Sequence, residues 1–183
     1  MKRSVGMWQL MGFAITSFGG TILHFLYEWL GNARWIAPFS GVNESTWEHM
    51  KLLFWPLLLF ALIQRIFFQE QENYWCVKLC SIMVGLILIP ILFYTLNGMF
   101  GTTPDWVNIV IFYVSAASAF FLEWWLFKEG HLPCKHPWVA FFGILLIGVL
   151  FVVFTFIPPQ IPLFQDPLAE KHDFCTTFLF YPE

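Results

Sequence analysis

The chain has 183 residues, of which 58% are apolar, 21% aromatic and only 11% charged, with a formal net charge of −3. That charged share is about half the share of a soluble domain, and the absence of a basic stripe excludes nucleic-acid binding. Apolar runs of about 20 residues recur and need a bilayer to cover them, so the sequence predicts an all-α, polytopic transmembrane helical bundle of five spans with a non-spanning C-terminal tail.

A short basic start, Met1 to Arg3, leads into a first span from about Met7 to Leu30. The run is too long for a signal peptide and no small-residue cleavage site follows it, so it reads as a retained span. Trp8 and Trp29 bracket it as interfacial rings do, and Gly12, Gly19 and Gly20 give it a thin face that a neighbouring helix can approach closely. Gly31 to Gly41 is loop, with Trp35, Ile36 and Phe39 expected to rest in the membrane interface. The second span begins near Asn43 or Ser45 and runs to about Phe68, with Pro56 as a kink. Ser45 and Glu48 fit the S-x-x-E capping box, in which hydroxyl and carboxylate satisfy orphan amides. The third span covers about Tyr74 to Phe93, the fourth Trp106 to Phe127, and the fifth Trp138 to Ile157, where Pro158 and Pro159 stop it. Residues 1–157 thus form a five-helix domain. Residues 158–183 form a Pro-rich tail with no run long enough to cross, lying on the membrane or folded back over the bundle.

Lysine and arginine set the orientation of such a bundle. Lys2, Arg3, Arg65, Lys78, Lys128 and Lys135 fall on one side if five spans alternate, against Arg34, Lys171 and, at the edge, Lys51. The amino terminus is therefore expected in the cytoplasm and the carboxyl terminus outside. Cys76, Cys80, Cys134 and Cys175 contain no CxxC pair. Cys76 and Cys80, one helical turn apart, have poor disulfide geometry and read as packing residues.

The outer side gathers the scarce polar groups. His24 and Glu28 share a face of span one, and Glu44, Glu48 and His49 open span two. An ionisable group at membrane depth is costly unless paired, which makes each a candidate site residue. His24, Glu28, Glu48 and His49 are the candidate ligands of a divalent metal (zinc, manganese or iron), with Glu44 or Asp173 as general base. The structural alternative is plain: Glu48 completes the cap, Glu44 favours the positive end of the helix, His24 bonds a carbonyl and Glu28 reaches water. Glu44 and Glu48 repel at this spacing, so a cation must offset them: a metal, Lys51, Arg34 or a substrate amine. Glu123, deep in span four, pairs with Lys128 or Arg65 near the inner surface, or else marks a proton or ion path. His131, Cys134 and His136 are short of ligands for a metal.

At VNESTWEHMKLLFWP, HFLYEW and FIPPQIPLFQDP the chain resembles an uncharacterised family of small bacterial multi-pass membrane proteins. The resemblance spans most of the chain and implies a bacterial cytoplasmic-membrane setting without a mechanism. Three functions follow from the residues. One is a metal-dependent hydrolase acting on a membrane lipid or amphiphile. Another is a transport or solute-capture subunit that binds a small polar or cationic solute. The third is a structural or regulatory partner of another membrane protein, or of its own copies, using the glycine face of span one.

Overall fold

The computed structural model describes residues 2–101, 103–130 and 132–166, so Asp173 and the rest of the tail lie outside the described residues. It is all-helical there. Helices α1 (Lys2–Trp29), α2 (Thr46–Arg65), α3 (Tyr74–Phe100), α4 (Asp105–Glu129) and α5 (Pro137–Phe156) follow one another, and a 3-10 turn spans Pro162–Phe164. All five helices are long and apolar enough to cross a membrane. Their outer faces carry large apolar side chains in the open, among them Leu10, Phe18, Leu59, Ile91, Phe121 and Leu146. A soluble surface does not carry so continuous an apolar cover; lipid would meet it.

The helices alternate in direction: Gly20, near the end of α1, lies against Leu52 near the start of α2 and Phe112 near the start of α4, and Lys51 of α2 reaches Thr155 at the end of α5. Antiparallel packing of α1 on α4 is fixed by small residues. A Cβ placed at Gly6 would touch Trp124, one at Gly12 would run into Phe120 and Phe60, and one at Gly20 into Phe112. Only a bare Cα lets these rings come so close. Gly19 sits against Pro56, where a Cβ would lie 3.1 Å from the proline Cβ. The glycine face is thus consumed inside the bundle and is no surface for an outside partner.

The boundaries differ from expectation at two ends. α2 stops at Arg65, whose Nη1 donates to Phe68 O at 2.6 Å, and α3 continues through Asn97 to Phe100. Asn97 stays helical because its amide donates to Phe93 O at 2.9 Å, one turn back, rather than opening a turn. The loop before α2 departs from the interfacial reading at Ile36, which is buried together with Ala37 and Ser40, while Trp35 and Phe39 remain exposed. Ser40 Oγ donates to Leu23 O and accepts from Tyr27 N at 2.9 Å, which folds the loop onto the last turns of α1.

Cys76 is bonded to Cys134, 58 residues away, with Cα atoms 6.0 Å apart. The packing role assigned to Cys76 is corrected on this point. Its partner stands in the loop after α4, which the α3–α4 pairing returns to the start of α3, where Asn73 Nδ2 also donates to Leu132 O at 3.4 Å.

Candidate functional site

The polar groups gather at the end of the bundle where α1 finishes and α2 begins. The entry to α2 is built locally. Asn43 Oδ1 accepts from Ser45 N at 3.0 Å and Ser45 Oγ accepts from Glu48 N at 3.4 Å. This half of the capping box forms, but its other half does not. The Glu48 carboxylate reaches Val42 N at 2.8 Å rather than the cap residue's own amide. Lys51, one turn on, places Nζ 2.6 Å from Glu48 Oε2. The same ammonium donates to Ala37 O at 2.7 Å and to Thr155 Oγ1 at 3.2 Å. Lys51 is fully buried, so this pair ties loop, α2 and α5 together inside the protein.

Glu44 does something different. Its Oε1 lies 3.6 Å from His24 Nε2 and its Oε2 3.6 Å from His49 Nε2, so one carboxylate stands between two imidazoles from α1 and α2. The two rings are 5.9 Å apart between centroids. Both His24 and Glu44 remain about one-third exposed, so the cluster is reached from outside the bundle. Asp166, at the end of the described tail, accepts from Glu44 N at 3.5 Å. The tail is held there by Phe164, whose ring packs 4.6 Å from that of Trp47. Up to Asp166, therefore, the tail folds back over the bundle.

His49 Nδ1 lies 3.0 Å from Ser45 O. A carbonyl only accepts, so Nδ1 carries the hydrogen, and in the neutral ring Nε2 presents a lone pair. That lone pair faces a carboxylate oxygen. Two acceptors face to face repel unless a proton, a donor or a cation stands between them. A proton on Nε2, a hydrogen-bond donor or a cation completes the arrangement. Beneath His49 lies a small cavity shared with Thr46, Asn108, Ile89, Phe93 and Phe112, whose roughly 10 Å³ is the room of one water molecule.

Of the predicted residues, His24, Glu44 and His49 come together. Glu48 is engaged by Lys51 and Val42, and Glu28 is exposed, with no hydrogen bond or ion pair from its carboxylate among the described residues. Among those residues no three His, Cys, Asp or Glu side chains are grouped as metal ligands.

A second buried charge pair lies toward the other end. Lys78 Nζ is 2.5 Å from Glu123 Oε1, and Ser81 Oγ is 3.5 Å from Glu123 Oε2. Both charged side chains are 1% exposed. The expected partners of Glu123, Lys128 and Arg65, are instead placed over the rings of Trp124 and Tyr74. Lys78, which counts among the orientation charges in the sequence, is instead buried as the partner of Glu123. The sequence carries a partial signal: Lys78 lies 22 residues before the end of α3 and Glu123 18 residues after the start of α4, so an antiparallel hairpin brings them within about a turn of each other.

Neither the curated proteins nor the solved structures contain a match to the chain. The model of a family of unknown function, DUF6512, matches residues 1–174. The chain belongs to that family.

Proposed function

We propose that the protein is a multi-pass protein of the bacterial cytoplasmic membrane that captures a cationic amine at the His24–Glu44–His49 cluster. The observation that carries this reading is the single carboxylate set 3.6 Å from each of two imidazole nitrogens. An alkylammonium supplies the N–H donors and the positive charge that these acceptors lack, and charge-assisted hydrogen bonds to it are about twice as strong as neutral ones. Glu48 has its own buried cation in Lys51, which leaves Glu44 for a ligand. The exposed rings of Phe25 and Trp29, stacked with centroids 5.9 Å apart beside His24, suit an amine carried on a lipid or amphiphile.

The side of the membrane is inferred from charge. With Lys51 and Lys78 buried in pairs, the amino-terminal end keeps Lys2, Arg3, Arg65, Lys128 and Lys135, whereas the site end has Arg34 among the described residues. This bias supports a site outside the cytoplasm. The Cys76–Cys134 bond lies at the opposite, cytoplasmic end, where reducing conditions make such bonds transient. We follow the charge bias, which rests on several side chains, and on that reading the bond is a reversible one.

A metal-dependent hydrolase is the second reading. A nitrogen and an oxygen 3.6 Å apart also fit two ligands around one ion at bonds of about 2.0–2.2 Å. Thermal unfolding of the purified protein in detergent separates the two. Ethylamine at constant ionic strength, with EDTA present, should raise the melting temperature of the natural protein and leave Glu44→Gln unmoved. No rise beyond that of sodium chloride refutes amine capture. A rise with zinc alone, abolished by EDTA, assigns the metal.

A further inference from the structure

The glycine contacts fix the register of α1 on α4, with residue 6 level with 124, 12 with 120 and 20 with 112. Interpolating, Gln9 lies level with Leu122, next to Glu123, and Thr16 with Ala116, next to Ser115; one turn beyond the last anchor, His24 lies level with Asn108. Gln9, Thr16 and His24 of α1 thus each stand at about the height of a polar residue of α4. The other helices join the same levels. Lys78 and Ser81 of α3 contact Glu123, and Gln64 of α2 accepts from Tyr74 Oη at 3.3 Å beside them. Thr46 and His49 line the cavity with Asn108. The interior therefore has three polar tiers. Between them lie aromatic layers, Phe60 and Phe120 over Gly12, and Phe112 over Gly20.

These tiers are not satisfied by the protein. Both amide atoms of Gln9, the hydroxyls of Thr16, Ser17 and Ser115, Gln64 Nε2 and Asn108 Oδ1 are buried with no hydrogen-bond partner among the described residues. An orphaned buried polar group costs about 1–3 kcal/mol, and buried groups of this kind are ordinarily bonded to ordered water. The unpartnered groups recur in every tier, and charged groups stand at the two ends of the column. At one end are His24, Glu44 and His49; at the other are Lys78 and Glu123, with Tyr74 and Arg65 next to them.

We propose that the bundle conducts protons between these two ends, along water held by the three tiers, with the phenylalanine layers as gates. A proton entering at the cluster moves by exchange, each water or hydroxyl taking one proton and releasing another. It arrives on Glu123, whose carboxylate becomes the acid. That breaks its charge pairing and leaves the Lys78 ammonium as the only charge of the pair. Release of the proton toward the Gln64 and Tyr74 end restores the carboxylate. No oxidant or second reactant is needed, since the membrane potential or a pH difference drives the movement. The inference goes beyond amine capture and does not depend on it.

The test uses the full chain in vesicles loaded with a pH-sensitive dye, with a potassium-diffusion potential set by valinomycin. Phe120→Ala removes one gate and should raise the acidification rate above that of the natural protein. Adding Ser115→Ala or Glu123→Gln to it should return the rate to that of protein-free vesicles. Ser115→Ala exchanges an unpartnered hydroxyl for a methyl, so its melting temperature should hold or rise while the flux falls. A merely structural tier would not separate those two readouts. Flux no greater than in protein-free vesicles for both the natural protein and Phe120→Ala overturns the proposal. So does flux that Ser115→Ala and Glu123→Gln leave unchanged.

Discussion

Lys51→Met breaks the buried pair that holds the site end together. The substitution keeps the length and the apolar stem of the side chain but removes its ammonium. Glu48, 4% exposed, then keeps only the Val42 amide at 2.8 Å. Ala37 O and Thr155 Oγ1 lose their donor as well. Removing one partner of a buried pair costs about 3–5 kcal/mol, most of it the penalty of an uncompensated charge. Since one charge-assisted bond survives, the expected loss is near the lower end, about 3 kcal/mol. The double variant Glu48→Gln, Lys51→Met buries no charge and should lose about 1 kcal/mol or less, by the same reasoning. Unfolding of the purified protein by a denaturing detergent, followed by circular dichroism and tryptophan fluorescence, gives the four stabilities of the cycle: the natural protein, Glu48→Gln, Lys51→Met and the double variant. If Lys51→Met is as mild as the double variant, the pair is not a buried charge pair. If the two single losses simply add in the double variant, Glu48 and Lys51 are not coupled.

Gly20→Ala drives a methyl into the Phe112 ring and to 3.1 Å from Leu52 O, and the backbone atom cannot step aside. It should cost about 1–3 kcal/mol in the same unfolding assay, as overpacking does; a neutral result would refute the α1–α4 register. Ser45→Ala removes the acceptor for Glu48 N and should cost about 1 kcal/mol, with the helix content by circular dichroism nearly unchanged. Cys76→Ser opens a closed stretch of 58 residues. Loop entropy sets an upper bound of about 4 kcal/mol, and helices held in a membrane reduce it. The variant should match the natural protein treated with dithiothreitol, and a dithiothreitol effect that persists in Cys76→Ser would refute the bond.

The sequence alone determined the five apolar helices. A run of about 20 apolar residues has few ways to satisfy its backbone in lipid other than by closing its own hydrogen bonds. It also singled out His24, Glu28, Glu44, Glu48 and His49 together, because scarce polar groups in a greasy chain are conspicuous, and Ser45 as the cap of α2, because that bond spans three residues. Only the tertiary structure decided who pairs with whom. Glu44 rather than Glu48 faces the imidazoles because Lys51, which the sequence places at the membrane edge, turns inward and occupies Glu48. Glu123 meets Lys78, and Cys76 meets Cys134, because α3 and α4 run back along each other and bring residues more than 40 positions apart to one level. Such partners are set by register and by helix rotation. Those in turn depend on where a glycine lets a ring approach, a property of two surfaces in contact and not of either strip of sequence alone.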